Sequence, residues 1–224
     1  MATLKDMLGC EPHEVPGRRP PEPHVRIAPQ CLSAAGLRQL FTCPPVWEVE
    51  IRRERRWGAA AAPRAAAVLV PIVMRPEPTI LLTQRTAHLP THAGQIAFPG
   101  GKVDPDDASP EAAALREAQE EVGLDPRNVE ILGTLPAHET VTGFLVSPVL
   151  ARVTGEFLPV PEANEVEEIF EVPLAHLMDP AKFSIQSRRW RGQARRYFTV
   201  PWGPYYIWGA TARILRGMAD RANP

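Results

Sequence analysis

Glu117, Glu120 and Glu121 stand at i, i+3 and i+4 in a segment with helical character, so at about 100° per residue their carboxylates project over one side of a helix. Like charges at that spacing repel, and clustering three requires either solvent to dissipate the charge or a cation to neutralise it. Hard divalent ions take oxygen ligands, and Mg²⁺ in particular is held by one or two carboxylates together with water and substrate phosphates. A solvated acidic face is the ordinary alternative for a Glu-rich helix. Gly100 and Gly101 precede the helix and allow backbone amides and carbonyls to approach an ion closely.

The elements needed to position these residues are legible around them. Ser109 followed by Pro110 reads as an N-cap with proline at the first helical position, and Gly123 as the C′ residue of a helix over 110–122. Upstream, 65–74 and 79–84 are apolar runs separated by Arg75-Pro76-Glu77-Pro78, which predicts two paired, largely buried strands. A strand over 95–98 is expected to be broken by Pro99-Gly100-Gly101. Downstream, 129–135, 144–153 and 167–172 have strand character, Pro173 opens a short helix through Met178, and Arg191-Gly192-Gln193 sits in a hairpin between 183–190 and 194–200. An amphipathic helix over 209–219 closes the chain. Strands interrupted by helices without regular alternation favour an α+β fold with a mixed sheet over a doubly wound parallel one.

Residues 1–63 read differently. Six prolines fall within the first thirty residues, predicting a proline-rich arm over 1–30 lying on the domain or on a partner subunit, so a homodimer is one expected arrangement. A short helix over 33–41 capped by Ser33 follows, then a half-exposed strand over 47–51. The folded core is expected to begin at Arg64 and to occupy 64–224.

The net charge of −1 hides a separation: the balance is +3 over 1–66, −12 over 67–181 and +8 over 182–224. Such asymmetry suits a site that handles cations and anions together. The longest apolar run, 65–74, is far short of a bilayer span, and no signal-like stretch opens the chain, so neither membrane insertion nor secretion is expected. Cys10, Cys31 and Cys43 are odd in number and lack Cys-x-x-Cys spacing, consistent with reduced thiols in the cytoplasm. Arg188, Arg189, Arg191, Arg195 and Arg196 read as a solvated hairpin rather than a converging anion site, and no nucleic-acid motif accompanies them. His88 and His92 flank Pro90 and read as loop residues.

The run Arg116-Glu117-Ala118-Gln119-Glu120-Glu121-Val122-Gly123 resembles the Arg-Glu-x-x-Glu-Glu-x-Gly half of the Nudix box position for position. The first half is one residue longer than the standard box, and Asp107 stands where glutamate is usual. With Leu81-Leu82-Thr83-Gln84-Arg85, Gly94-Gln95-Ile96-Ala97-Phe98-Pro99-Gly100-Gly101, Thr142-Gly143-Phe144 and Ile207-Trp208-Gly209-Ala210-Thr211-Ala212, the chain from Arg64 to Ala219 resembles the coenzyme A pyrophosphatase branch of that superfamily. In that branch a basic residue is usual at Pro90, and serine or alanine at Thr86.

The resemblance implies a Nudix fold, a mixed β-sheet sandwiched between α-helices, and a Mg²⁺ or Mn²⁺ cofactor. It implies Glu117, Glu120, Glu121 and the Gly101 carbonyl as metal ligands, Arg116 as the residue that holds the cluster, and Arg85 and Gly100 as substrate contacts. The general base is either Glu120 or Glu165, and Asp107 is a ligand, a helix-orienting acid or a loop solvator. The implied reaction is hydrolysis of a small-molecule diphosphate, coenzyme A or a derivative, to 4′-phosphopantetheine and adenosine 3′,5′-bisphosphate. Other nucleoside diphosphate derivatives such as ADP-ribose, and a non-catalytic nucleotide sensor, are the alternatives.

Overall fold

The computed structural model describes residues 29–42, 62–89, 92–154, 157–190 and 193–223. The predicted arm over 1–30, apart from its last two residues, and the strand over 47–51 lie outside these. A 3₁₀ turn, Pro29–Leu32, leads into α1, Ala34–Thr42, with the Ser33 hydroxyl accepting from Gly36 N as the cap reading requires.

The main sheet has eight strands: β1 (Arg64–Val73), β2 (Thr79–Arg85), β3 (Ile96–Ala97), β4 (Gly100–Lys102), β5 (Val129–Thr134), β6 (His138–Glu139), β7 (Phe144–Val153) and β8 (Val166–Pro173). It is mixed. β1 runs parallel to β7 over its whole length, whereas β2–β8 and β5–β7 are antiparallel. The two predicted strands over 65–74 and 79–84 do form a hairpin, but only Ile72↔Ile80 and Val73↔Thr79 pair. Beyond that point β1 and β2 separate, and β4 takes β1 as its partner through Ala66, Ala67 and Val68. Gly100 and Gly101, expected to interrupt a strand, are therefore strand residues themselves.

Both faces of the sheet are buried, which is why its inner strands read as continuous apolar runs. On β1, Ala67, Leu69 and Val73 face one layer and Val70 and Ile72 the other. The first layer is α2, Pro110–Val122, whose Ala113, Ala114, Ala118 and Val122 pack on that face. The second combines α1, the short α3 (Leu174–Leu177) and the closing α4 (Gly209–Ala222). It also includes a separate three-stranded antiparallel sheet of β9 (Ser184–Trp190), β10 (Gln193–Trp202) and β11 (Tyr205–Trp208). The architecture is α+β, a mixed sheet between helical layers. The predicted hairpin around 191–193 is present as β9 and β10; β11 and β6 carried too few residues to stand out in the sequence.

The ends of α2 follow its local signals. The Ser109 hydroxyl accepts from Ala112 N, Pro110 opens the helix, and Gly123 closes it at φ 70°. An ion-paired cluster secures the opposite end of the β1–β2 hairpin: Arg75 donates to Glu171 at 2.7 Å and to the Phe157 carbonyl, and the Thr79 hydroxyl donates to the same carboxylate at 2.5 Å. Burial would raise the Glu171 carboxyl, but these bonds outweigh it and hold the group below its ordinary range.

A carboxyl whose pKa is lowered on folding stabilises the protein above its unfolded pKa, and that contribution is lost as pH falls through the folded value. Urea unfolding between pH 6 and pH 3 is therefore expected to show a loss of stability that is smaller in Glu171→Gln. Gly100 supplies a second expectation. At φ 152° its absent Cβ would collide with the Ala67 carbonyl and lie 2.6 Å from Val68 Cα, both backbone atoms of β1. Gly100→Ala is expected to lower unfolding stability by about 3 kcal/mol, measured by the same denaturation.

Candidate active site

The acidic helix lies where β1 and β2 separate, with β4 beneath it. Its three carboxylates span about 100° of the helix circumference, and the structure divides them accordingly. Glu121 is 5% exposed; its Oε2 accepts from Gly100 N at 3.0 Å, and its Oε1 lies 3.6 Å from Arg85. Glu117 rests on Gly101, where an added Cβ would come within 2.5 Å of Oε1. The Glu120 side chain, 59% exposed, turns outward to Arg116. Gly100 and Gly101 thus bring the backbone of β4 against two carboxylates: a side chain at 101 would meet Glu117 itself, and one at 100 would meet the backbone of β1.

Arg116 gathers rather than merely pairs. Its NH1 donates to Glu117 and Glu120, both at 3.1 Å, and its Nε and NH2 donate to the two oxygens of Asp107 at 3.1 and 3.0 Å. Such a fork is a guanidinium property that lysine cannot reproduce. Asp107 also accepts from Asp104 N, and these bonds, Arg116 foremost, keep its carboxyl below the ordinary range. In this arrangement Asp107 bonds Arg116, which in turn bonds Glu117 and Glu120.

Glu165 arrives from a distant loop. The Glu162 carboxylate accepts from the Asn164 and Glu165 amides, while Glu162 N and Val160 N donate to the carbonyls of Glu121 and Val122 at the end of α2. On the other side, Thr86 N donates to the Glu165 carbonyl and the Thr86 hydroxyl to the Asn164 carbonyl. The Glu165 side chain, half exposed, lies 4.0 Å from Arg85. Thr86, a departure from the branch pattern, is here a buried residue that pins this loop. Pro90 lies outside the described residues. Sequence reasoning missed Glu162 and Asn164 as loop organisers, although acid and Asn residues at i and i+2 are a turn signal.

Arg85 was expected at the substrate, but its guanidinium faces Glu121 and Glu165. Its backbone is fixed at the last step of β2, where Arg85 N donates to the Gln95 carbonyl and Gly94 N donates to the Arg85 carbonyl. Gln95 in turn lies near Gly209, and the Thr211 hydroxyl donates to the Ile96 carbonyl. Of the four segments carrying the branch resemblance, 81–85 and 94–101 thus meet at Arg85, and 207–212 meets 94–101 at Gln95 and Ile96. Arg188 and Arg195 face each other across β9 and β10, while Arg189 and Arg196 occupy the opposite face. These four arginines are thus divided between the two faces, and Arg191 lies outside the described residues. His92 bonds Gln95 within its own loop.

Electrostatically the site has an excess of negative charge. Asp104, Asp107, Glu117, Glu120, Glu121 and Glu165 bring six formal negative charges to two guanidiniums, Arg85 and Arg116. Burial pushes Glu121 up to about 7 against the opposing Gly100 amide and Arg85, with Glu117 and Glu165 adding to the rise. Burial likewise raises Glu117. Among the described residues no three His, Cys, Asp or Glu side chains converge to enclose a metal ion as they stand. The donor set nonetheless fits a hard divalent cation: every ligand atom is oxygen, the charge is in excess, and the glycines leave room at the backbone.

The NUDIX domain model matches residues 63–191, more than half of the chain. The chain belongs to the Nudix hydrolase family. An uncharacterized Nudix hydrolase NudL of Salmonella paratyphi B is 47% identical over 156 residues, which cover 70% of this chain and 81% of the relative. The NudL of Salmonella newport gives the same values. Among solved structures, the Nudix hydrolase RenU of M. smegmatis is similar with a TM-score of 0.44 and 26% identity, covering 53% of this chain and 76% of that one. The NUDIX domain of Shewanella oneidensis NrtR, complexed with ADP ribose, has a TM-score of 0.42 and 24% identity, covering 52% and 77%. As a Nudix hydrolase the protein is a diphosphatase, and members of this family generally use divalent metal ions.

In this Nudix hydrolase, the contact between Gly101 and Glu117 gives a direct expectation. Gly101→Ala adds a methyl against a movable carboxylate rather than against backbone. The variant is expected to melt within a few degrees of the parent yet lose about 10²-fold in diphosphatase kcat, the scale of a misplaced catalytic group. Thermal denaturation and steady-state kinetics together check it.

Proposed function

We propose that the protein is a Mg²⁺- or Mn²⁺-dependent hydrolase of coenzyme A or its derivatives, releasing 4′-phosphopantetheine and adenosine 3′,5′-bisphosphate. The observation that carries this reading is the contact of 81–85 with 94–101 at Arg85, and of 94–101 with 207–212 at Gln95 and Ile96, with Arg85 and Gly100 reaching Glu121 of an intact Glu117, Glu120, Glu121 set.

Glu117, Glu120 and Glu121, with the Gly101 carbonyl, would hold the metal. When bound, the divalent ion supplies Lewis acidity toward the phosphoryl oxygens and lowers the pKa of a bound water. Arg116 and Asp107 fix the rotamers of Glu117 and Glu120 before substrate arrives, so little ordering remains to be done at the moment of reaction. Gly100 N anchors Glu121. We assign the general base to Glu165, which is half exposed and stands on a loop pinned from both sides. Glu120, engaged by Arg116 and pointing outward, is less suited to accept a proton from an attacking water.

Incubating the protein and Mn²⁺ with coenzyme A, ADP-ribose and dinucleoside polyphosphates, and resolving products by chromatography, tests the assignment. Coenzyme A is expected to be cleaved with the highest kcat/KM. Preference for a substrate without the pantetheine arm overturns the substrate, and no turnover of any diphosphate overturns the reaction. Glu121→Gln is expected to lower kcat by orders of magnitude while circular dichroism stays native; near-normal turnover contradicts its role as a ligand.

A further inference from the structure

We propose that Arg85 is the resident counter-ion of the site: its guanidinium neutralises Glu121 and Glu165 until a divalent cation takes Glu121, and then turns to the substrate's diphosphate. This rests on the reading of Glu117, Glu120 and Glu121 as metal ligands.

The two guanidiniums of the site are held differently. Arg116 is locked by hydrogen bonds of 3.0 to 3.1 Å to three carboxylates, and by a further one to the Lys102 carbonyl. Among the described residues, Arg85 makes longer ion pairs, 3.6 Å to Glu121 and 4.0 Å to Glu165. Its backbone, however, is fixed on both sides: Arg85 N and the Arg85 carbonyl bond the 94–95 loop, and the next residue, Thr86, bonds the Glu165 loop. The side chain is therefore a loosely engaged cation on a fixed pivot, half-buried between two carboxylates that arrive from different elements.

Glu121 cannot remain in its buried position as an anion without compensation. The Gly100 amide provides part of it and Arg85 the rest. Glu117, beside it, already has Arg116. A divalent ion drawing Glu117 and Glu121 to itself would lie next to the Arg85 guanidinium, and two cations there repel. The repulsion is relieved when Arg85 swings toward the open side, where a substrate diphosphate offers it new oxygen partners and the bidentate geometry that arginine favours. The exchange accounts for an arginine facing the carboxylates at a position expected to face the substrate.

An equilibrium that favours the metal-free arrangement weakens metal binding by the same factor, so removing the competing cation must tighten it. The test is titration of the full chain with Mn²⁺ alone, following free Mn²⁺ by electron paramagnetic resonance. The wild type is compared with Arg85→Met, Arg85→Gln, Arg85→Lys and Glu121→Gln. Arg85→Met and Arg85→Gln are expected to bind Mn²⁺ about 10-fold more tightly than the wild type, and Arg85→Lys within about 2-fold of it. The two neutral variants are further expected to raise KM for the diphosphate substrate about 10-fold. A purely structural role for Arg85 would weaken Mn²⁺ binding on its removal. Unchanged or weaker binding in a neutral variant with native circular dichroism therefore overturns the counter-ion role, and so does an unchanged KM. If the wild type binds no Mn²⁺, or Glu121→Gln binds it equally well, the metal-ligand reading itself fails and the proposal with it.

Discussion

The site is organised by one constraint, the burial of the Glu121 carboxylate at the end of an acidic helix. A charge at 5% exposure with a second glutamate one turn away is unfavourable unless oriented dipoles and counter-charges are built around it. The surrounding features answer that need. Gly100 brings a backbone amide to Glu121 because it has no side chain to hold β4 away, and the same absence lets β4 lie against β1. The short β1–β2 pairing matters for the same reason: had the hairpin continued, β4 would have no place beside β1 and the helix no backbone floor.

Two arginines divide the remaining work. Arg116 is rigid and serves the exposed side of the cluster, ordering Glu117 and Glu120 through a fork that Asp107 completes. Arg85 serves the buried side with longer contacts and a fixed backbone. A site that must hold anionic ligands while empty and then accept both a cation and an anion benefits from one immobile and one exchangeable positive charge. Six of the 18 acidic residues in 67–181 lie where these charges meet.

The loop carrying Glu165 shows how a long-range contact is made reproducible. Its Val160 and Glu162 amides satisfy carbonyls at the C-terminal end of α2, groups that a helix end leaves without internal partners. The helix that supplies the candidate metal ligands thus also seats the loop that supplies the candidate base. Thr86 closes the arrangement from β2, so the three elements converge through backbone bonds rather than through side-chain contacts alone.

The sequence by itself determined what depends on neighbours along the chain. The limits of α2, its Ser109 cap and its Gly123 terminus were legible because capping is a local property, and the family was legible because Arg116 to Gly123 is contiguous. The strands of the core were legible from their apolar runs. Only the tertiary structure decided which carboxylate is buried and which exposed, because three glutamates on one helix look alike until a strand approaches one end of their arc. It also decided that Gly100-Gly101 is strand rather than break, since strand pairing is a long-range relation and β1 supplies the partner. The contacts of Asp107 with Arg116, the pinning by Thr86 and the direction of Arg85 likewise came from the tertiary structure. Each depends on a contact between segments far apart in the chain, and periodicity carries no record of such contacts.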